Sequence, residues 1–156
     1  MGMSIMEKED LLILSHLRED ARKNLTKISK STGIPISTIF DKLKKYEGDC
    51  IIKHTAMLDF AKLGYEVKVH IMMKVPKESR EDLKESLLKD ARINSVYRIN
   101  NGYDFMVEAF FRNMKEVNDF SECLEKFKVK DAEEYFVLEE IKKESFMSDP
   151  QSVGLL

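Results

Sequence analysis

Lys27, Lys30, Lys42 and Lys45, with Ser37, Thr38 and Asp41 among them, form a set of side chains suited to holding a polyanion. Ammonium groups neutralise phosphates without choosing among sequences, whereas hydroxyls and a carboxylate also reach base edges. From Ala21 to His54 eight bases face three acids, a local charge of +5 in a chain whose total is −2. The remainder therefore carries −7, and a basic segment inside an acidic protein points to a local polyanion site. Between Pro35 and Tyr46 there is no arginine, so the two-pronged guanine contact is missing. Base choice would rest on Ser37, Thr38, Asp41 and the shape of the duplex.

Three short helices must position this set. Leu11, Leu14 and Leu17 repeat every three residues, which predicts a helix from about Glu7 to Arg18. Asn24 is suited to cap a second helix carrying Leu25, Ile28 and Thr32, and Gly33 to end it in the left-handed conformation. Pro35 suits the first turn of a third helix, running to about Tyr46 with Ile36, Ile39, Phe40 and Leu43 inward. The corner at Gly33–Pro35 is the tight turn of a helix-turn-helix, with Ser29 at the crossing point. The start of helix three would then enter the major groove of double-stranded DNA. Cys50–Thr55 and Met57–Phe60 read as two extended segments, the wing of a winged helix.

Beyond about residue 65 the pattern alternates instead. Val67, Val69, Ile71, Met73 and Val75 share one side of a strand. A helix with Leu83, Leu87 and Leu88 follows, then a strand over Ser95–Ile99. Asn100-Asn101-Gly102 signals a hairpin turn, and a strand over Tyr103–Arg112 comes next. Asn113 caps a helix striped by Met114, Val117, Phe120, Leu124 and Phe127, and Glu134–Ile141 forms the last strand. This βαββαβ order is ferredoxin-like, an α+β sandwich with both helices on one face of an antiparallel sheet. The period-2 count puts Met72, Met106, Phe110, Phe136 and Leu138 on the other face. That apolar surface calls for a second copy, hence a homodimer. The expected division is residues 1–62 for the helix-turn-helix, a linker strand at about 56–65, 66–145 for the second domain, and a loose tail over 146–156.

The bulk properties narrow the function class. With 35% charged residues and only short apolar runs, no segment suits a membrane span, and residues 1–15 lack the layout of a signal peptide. A cytoplasmic protein is expected. Cys50 and Cys123 lie far apart, which favours two reduced, partly buried thiols over a disulfide. His16, His54 and His70 have no metal-ligand spacing, so neither a metal nor a cofactor is expected.

Taken together, Asp10-Leu11-Leu12-Ile13-Leu14, Asp20-Ala21-Arg22, Ile28-Ser29, Thr32-Gly33-Ile34, Ser37-Thr38-Ile39, Ile51-Ile52-Lys53 and Asn101-Gly102-Tyr103-Asp104 resemble the Lrp/AsnC (feast/famine) family of transcription regulators. The resemblance spans about residues 7–145. It implies a winged helix-turn-helix joined to a ferredoxin-like ligand-binding domain, and dimers that assemble further, often to octamers. It also implies an amino-acid effector near Gly102, Tyr103 and Asp104, where the residues alone are equally explained by hairpin geometry. The chain departs from the family pattern at Lys42, usually arginine, at Tyr46, commonly leucine, and at Cys50, usually glycine. Glu134 stands where threonine is common. Sirohaem decarboxylases resemble the same two-domain architecture, so an enzyme is the alternative. Only His70 lies on a second-domain strand to serve one, and no catalytic residue is expected.

Overall fold

The computed structural model describes residues 6–156, so the first five residues of the expected 1–62 domain lie outside the described residues. Two compact units result. One runs to Ala56 and takes back Ile141–Leu156; the other is Met57–Glu140.

The first unit is a helical bundle of α1 (Lys8–Glu19), α2 (Leu25–Thr32) and α3 (Ile36–Glu47). Its core is Ile13, Ile28, Ile34, Ile39 and Tyr46, with Leu14, Leu17, Leu25, Leu43 and Ile51 packed around them. Local chemistry sets each boundary. The Asn24 side chain accepts from the Lys27 N–H at 2.9 Å, satisfying one of the orphan donors at the start of α2. Gly33 ends α2 at φ +77°, a conformation a side chain would strain. The turn is stapled by side chains: Ser29 Oγ donates to the Ile34 carbonyl at 2.6 Å, and the Ile34 N–H donates to Thr32 Oγ1 at 3.2 Å. Ser29, expected at the crossing point, ties α2 to the turn.

The segment expected to form a wing holds no strand ladder: no residue from Ile51 to Asp59 is in a strand. One residue, Ala56, separates the two proposed strands, too few for even a two-residue hairpin turn. Ile51 packs on the bundle core, but Ile52 is almost wholly in solvent.

The tail is not loose. The 3-10 turn Val153–Leu155 packs on α1 and buries Val153. The Arg18 guanidinium donates to the carbonyls of Glu144 (2.8 Å) and Phe146 (3.1 Å). Ser15, on the side of α1 away from Ile13 and Leu17, is completely buried, on the same strip as Lys8, which meets Gly154, and Arg18.

The second unit is the expected sandwich. Strands β1 (Val67–Lys74), β2 (Ile93–Arg98), β3 (Phe105–Phe111) and β4 (Asp131–Phe136) form an antiparallel sheet in the order β2-β3-β1-β4. Helices α4 (Arg80–Lys89) and α5 (Met114–Leu124) share one face, and Leu83, Leu87, Val117, Phe120 and Leu124 pack there against Val69, Ile71, Met73, Phe105, Val107 and Phe111. Asn113 caps α5 by accepting from the Glu116 N–H. Leu88 and Met114, expected in the helix stripes, are exposed instead.

The last strand comes three residues earlier than expected, and its parity is opposite. Phe136 pairs with Val69 and Glu134 with Ile71, both core positions, so Phe136 lies on the helix side of the sheet. Leu138 falls beyond the ladder. The open face keeps Met72 and Met106, which pair across β1 and β3, and Phe110, opposite Lys68. It gains Tyr97, opposite Met106, and Tyr135, opposite His70. Phe60 packs against Phe110 in a tilted arrangement, ring centroids 4.6 Å apart. No helix among the described residues is long and apolar enough to cross a membrane, and no group of His, Cys, Asp and Glu among them suits a metal ion. Both cysteines are exposed, contrary to the expected partial burial.

Candidate functional site

α3 meets the bundle along Ile39, Leu43 and Tyr46, a complete i, i+4, i+7 stripe. Rotating the helix to bury that stripe turns Ile36 and Phe40 outward, where they are 46% and 47% exposed, although the sequence had placed both inside. The stripe from Ile39 was the signal: it is full without them. The outward face therefore carries Ser37, Phe40, Asp41, Lys44 and Lys45, all exposed, with Thr38 at its margin. Lys44 Nζ sits 4.4 Å over the centre of the Phe40 ring. On α2, Lys27 and Lys30 are exposed. Among the described residues, Lys27, Lys30 and Lys45 appear in no ion pair within 4.0 Å, which leaves their ammonium groups available to an anion.

Lys42 does not belong to this set. Its Nζ donates to Asp10 Oδ1 at 2.7 Å, and the Tyr46 hydroxyl donates to the same oxygen at 2.5 Å. The other oxygen of Asp10 accepts the Glu7 N–H at 2.9 Å. Position 42 lies beside the buried stripe, so its long side chain reaches across to α1 rather than outward. Burial alone would raise the Asp10 carboxyl, but the bonds from Lys42, Tyr46 and Glu7 outweigh it and hold the group below the usual aspartate range. The same bond holds the Lys42 ammonium above its ordinary value. Burial, then the bond to Asp10, push the Tyr46 phenol well up. The triad latches α3 to α1 and so sets the direction in which the outward face points.

The second expected site is the turn between β2 and β3. Asn101 (φ +64°) and Gly102 (φ +90°) both adopt the left-handed conformation, as a primed hairpin turn requires. Asp104, nearly fully buried, is committed internally. It accepts from the Val75 N–H (2.9 Å), from Arg80 (2.8 Å) and from Arg98 (3.2 Å). Burial raises its carboxyl, and those donors bring it below the usual range. The Tyr103 hydroxyl donates to Glu133, whose carboxylate also accepts from Tyr135. The bond to Glu133 pushes the Tyr103 phenol up to about 12. Glu134, one residue on, faces α5 and accepts from Ser121 at 2.9 Å. It lines a shallow cleft of about 150 Å³ with Ile71, Ser121, Leu124, Val129 and Ala132, which does not include Gly102, Tyr103 or Asp104.

Residues 66–146 match the Lrp/AsnC ligand-binding domain. Over 148 residues the chain is 31% identical to an uncharacterised HTH-type transcriptional regulator of Pyrococcus furiosus, covering 93% of this chain and all of that one. It is 32% identical over 120 residues to the HTH-type transcriptional regulator FL11 of Pyrococcus horikoshii, covering 76% of this chain and 80% of FL11. Among solved structures, it is similar to a transcriptional regulator of Neisseria meningitidis in complex with L-Met (TM-score 0.82, 26% identity, 88% of this chain and 93% of that one). LrpC of Bacillus subtilis shares the fold, with a TM-score of 0.80 at 20% identity over 90% of this chain and 99% of LrpC.

Proposed function

The chain belongs to the Lrp/AsnC family of transcription regulators, and from that premise we propose that it holds double-stranded DNA through the outward face of α3. Ser37 and Thr38 at the start of α3, with Asp41 one turn on, would reach base edges. Lys45 on α3 and Lys27 and Lys30 on α2 would meet the flanking phosphates. One observation carries this reading: the latched, stapled corner leaves these groups exposed on adjoining helices, Thr38 half-buried at their margin, with the three lysines in no ion pair among the described residues. Lys42 drops out of the contact set because Asp10 holds it. The relatives are named as regulators, so nothing favours the decarboxylase alternative.

Two copies would pair through the open sheet face, where Met72, Met106, Phe110, Tyr97 and Tyr135 gather, and dimers would assemble further in the manner of the family. An amino acid would be the effector class, in keeping with the L-Met complex of the Neisseria regulator, with Gly102 and Tyr103 presenting the turn to it. Asp104 would hold that turn in shape instead of touching the ligand, because all its donors are internal.

A labelled fragment of the protein's own promoter, run in a retardation gel over a salt series, tests the reading. Binding that exceeds a scrambled fragment and weakens steeply with salt is expected. Equal retention of both fragments would remove sequence recognition. Met106→Lys should shift the chain toward monomer in a sedimentation run, and calorimetric titration with the twenty amino acids would identify an effector.

A further inference from the structure

The Phe40 ring is an expensive group to leave in water. Nearly half of it is exposed, and Ile36, one turn earlier on the same edge, is exposed to the same degree. Burying either would be favourable by the ordinary apolar transfer. Neither is needed for the bundle, whose stripe is filled by Ile39, Leu43 and Tyr46. Lys44 lies over one face of the ring at 4.4 Å, which holds the phenyl in place and sets a positive charge beside it. Lys45 is exposed on the same helix and Lys27 and Lys30 on α2, in a segment of net charge +5. The occupant of such a surface must be a polyanion that also offers an apolar spot.

The major groove of DNA offers such a spot in one place, the 5-methyl group of thymine. The rest of α3 narrows the choice further. It has no Arg, Asn or Gln, so the two-pronged amide contact to adenine and the guanidinium fork on guanine are absent. We propose that Phe40, braced by Lys44, reads a thymine methyl group in each half of the operator and is a principal determinant of its sequence. This rests on the assignment of α3 to the major groove.

The test begins with duplexes selected by the full-length protein from a random library. Each thymine is then replaced singly by deoxyuridine, which removes the methyl group and nothing else. At one thymine per half-site, uracil should weaken binding about four-fold, the worth of one buried methyl group. Phe40→Ala should bind the thymine and uracil duplexes alike, whereas Lys45→Ala should weaken both and keep the four-fold difference. Phe40→Leu, which retains an apolar tip, should keep part of it, and a circular dichroism spectrum checks that each variant is folded. A flat response to methyl removal, or one that Phe40→Ala leaves intact, overturns the proposal while DNA binding stands. So does a Phe40→Ala variant that changes oligomeric state and not methyl discrimination, since the ring would then face a second copy. Failure of the native chain to select any duplex at low salt overturns the DNA-binding assignment and this proposal together.

Discussion

The helical unit and the sheet unit solve the same problem with different means. Among the described residues the sheet unit gathers thirteen buried hydrophobic side chains in one cluster, and the helical unit's cluster holds five. A small core leaves little margin over chain entropy, so other devices must contribute. In the helical unit these are the Asp10 latch and the returning tail, which covers the back of α1. Each unit has one nearly buried aspartate at a structural joint, but their partners differ. Each accepts one backbone N–H, but Asp10 also serves a buried phenol and a lysine, whereas Asp104 serves two arginines that reach water. A polar tie therefore matters more where the core is small and one of its partners, here the Tyr46 phenol, is buried.

The sharpest way to break that contrast is to remove the two carboxylates. Asp10→Ala strands the Tyr46 hydroxyl in the interior and frees α3, at a cost of about 3 kcal/mol. Urea unfolding should show the helical unit melting first, and DNA binding should fall with it. Asp104→Ala should cost about 2 kcal/mol, mainly for the Val75 N–H, because Arg80 and Arg98 regain water. If Asp104→Ala proved the more damaging, the contrast would be wrong. Next comes the tail: Val153→Asp should destabilise the helical unit by about 1.5 kcal/mol and leave the sheet unit's transition unmoved.

Acid should strain both units through the same groups. The Asp10 and Asp104 carboxyls are held below their ordinary value of 3.8, so their contribution is full above that pH. It drains as the pH falls through the lowered values, because the unfolded chain then binds more protons. An acid titration followed by circular dichroism should find the helical unit giving way at the higher pH. Smallest is the effect that separates two lysines one turn apart. Lys45→Ala should reduce the salt slope of DNA binding by about one per copy, whereas Lys42→Ala should lower stability and leave the slope unchanged.

Much of this was legible in local chemistry. Asn24, Gly33 and Pro35 mark the corner of the helix-turn-helix without any knowledge of the rest of the chain, as Asn101-Gly102 marks the hairpin, because caps and left-handed turns are short-range demands. Alternation over Val67–Val75 and Tyr103–Arg112 placed the two central strands, where one face is buried and parity cannot drift. At β4 the same count failed. Asp131–Phe136 is an edge strand with no fully buried residue, so nothing in its own pattern pins which side faces α5. The wing failed because two apolar runs separated by Ala56 alone suggest strands without supplying the turn that would join them.

Helix existence, the order of elements and the basic character of the front segment thus follow from residue types and spacing, which act over a few positions. The rotation of α3 does not: five apolar residues lie on that helix, more than its stripe can hold, and packing against α1 and α2 chose Ile39, Leu43 and Tyr46. That choice sent Phe40 outward and drew Lys42 to Asp10, thirty-two residues away. Which lysine latches and which is left to meet a phosphate is a matter of long-range geometry, to which a short stretch of chain is blind.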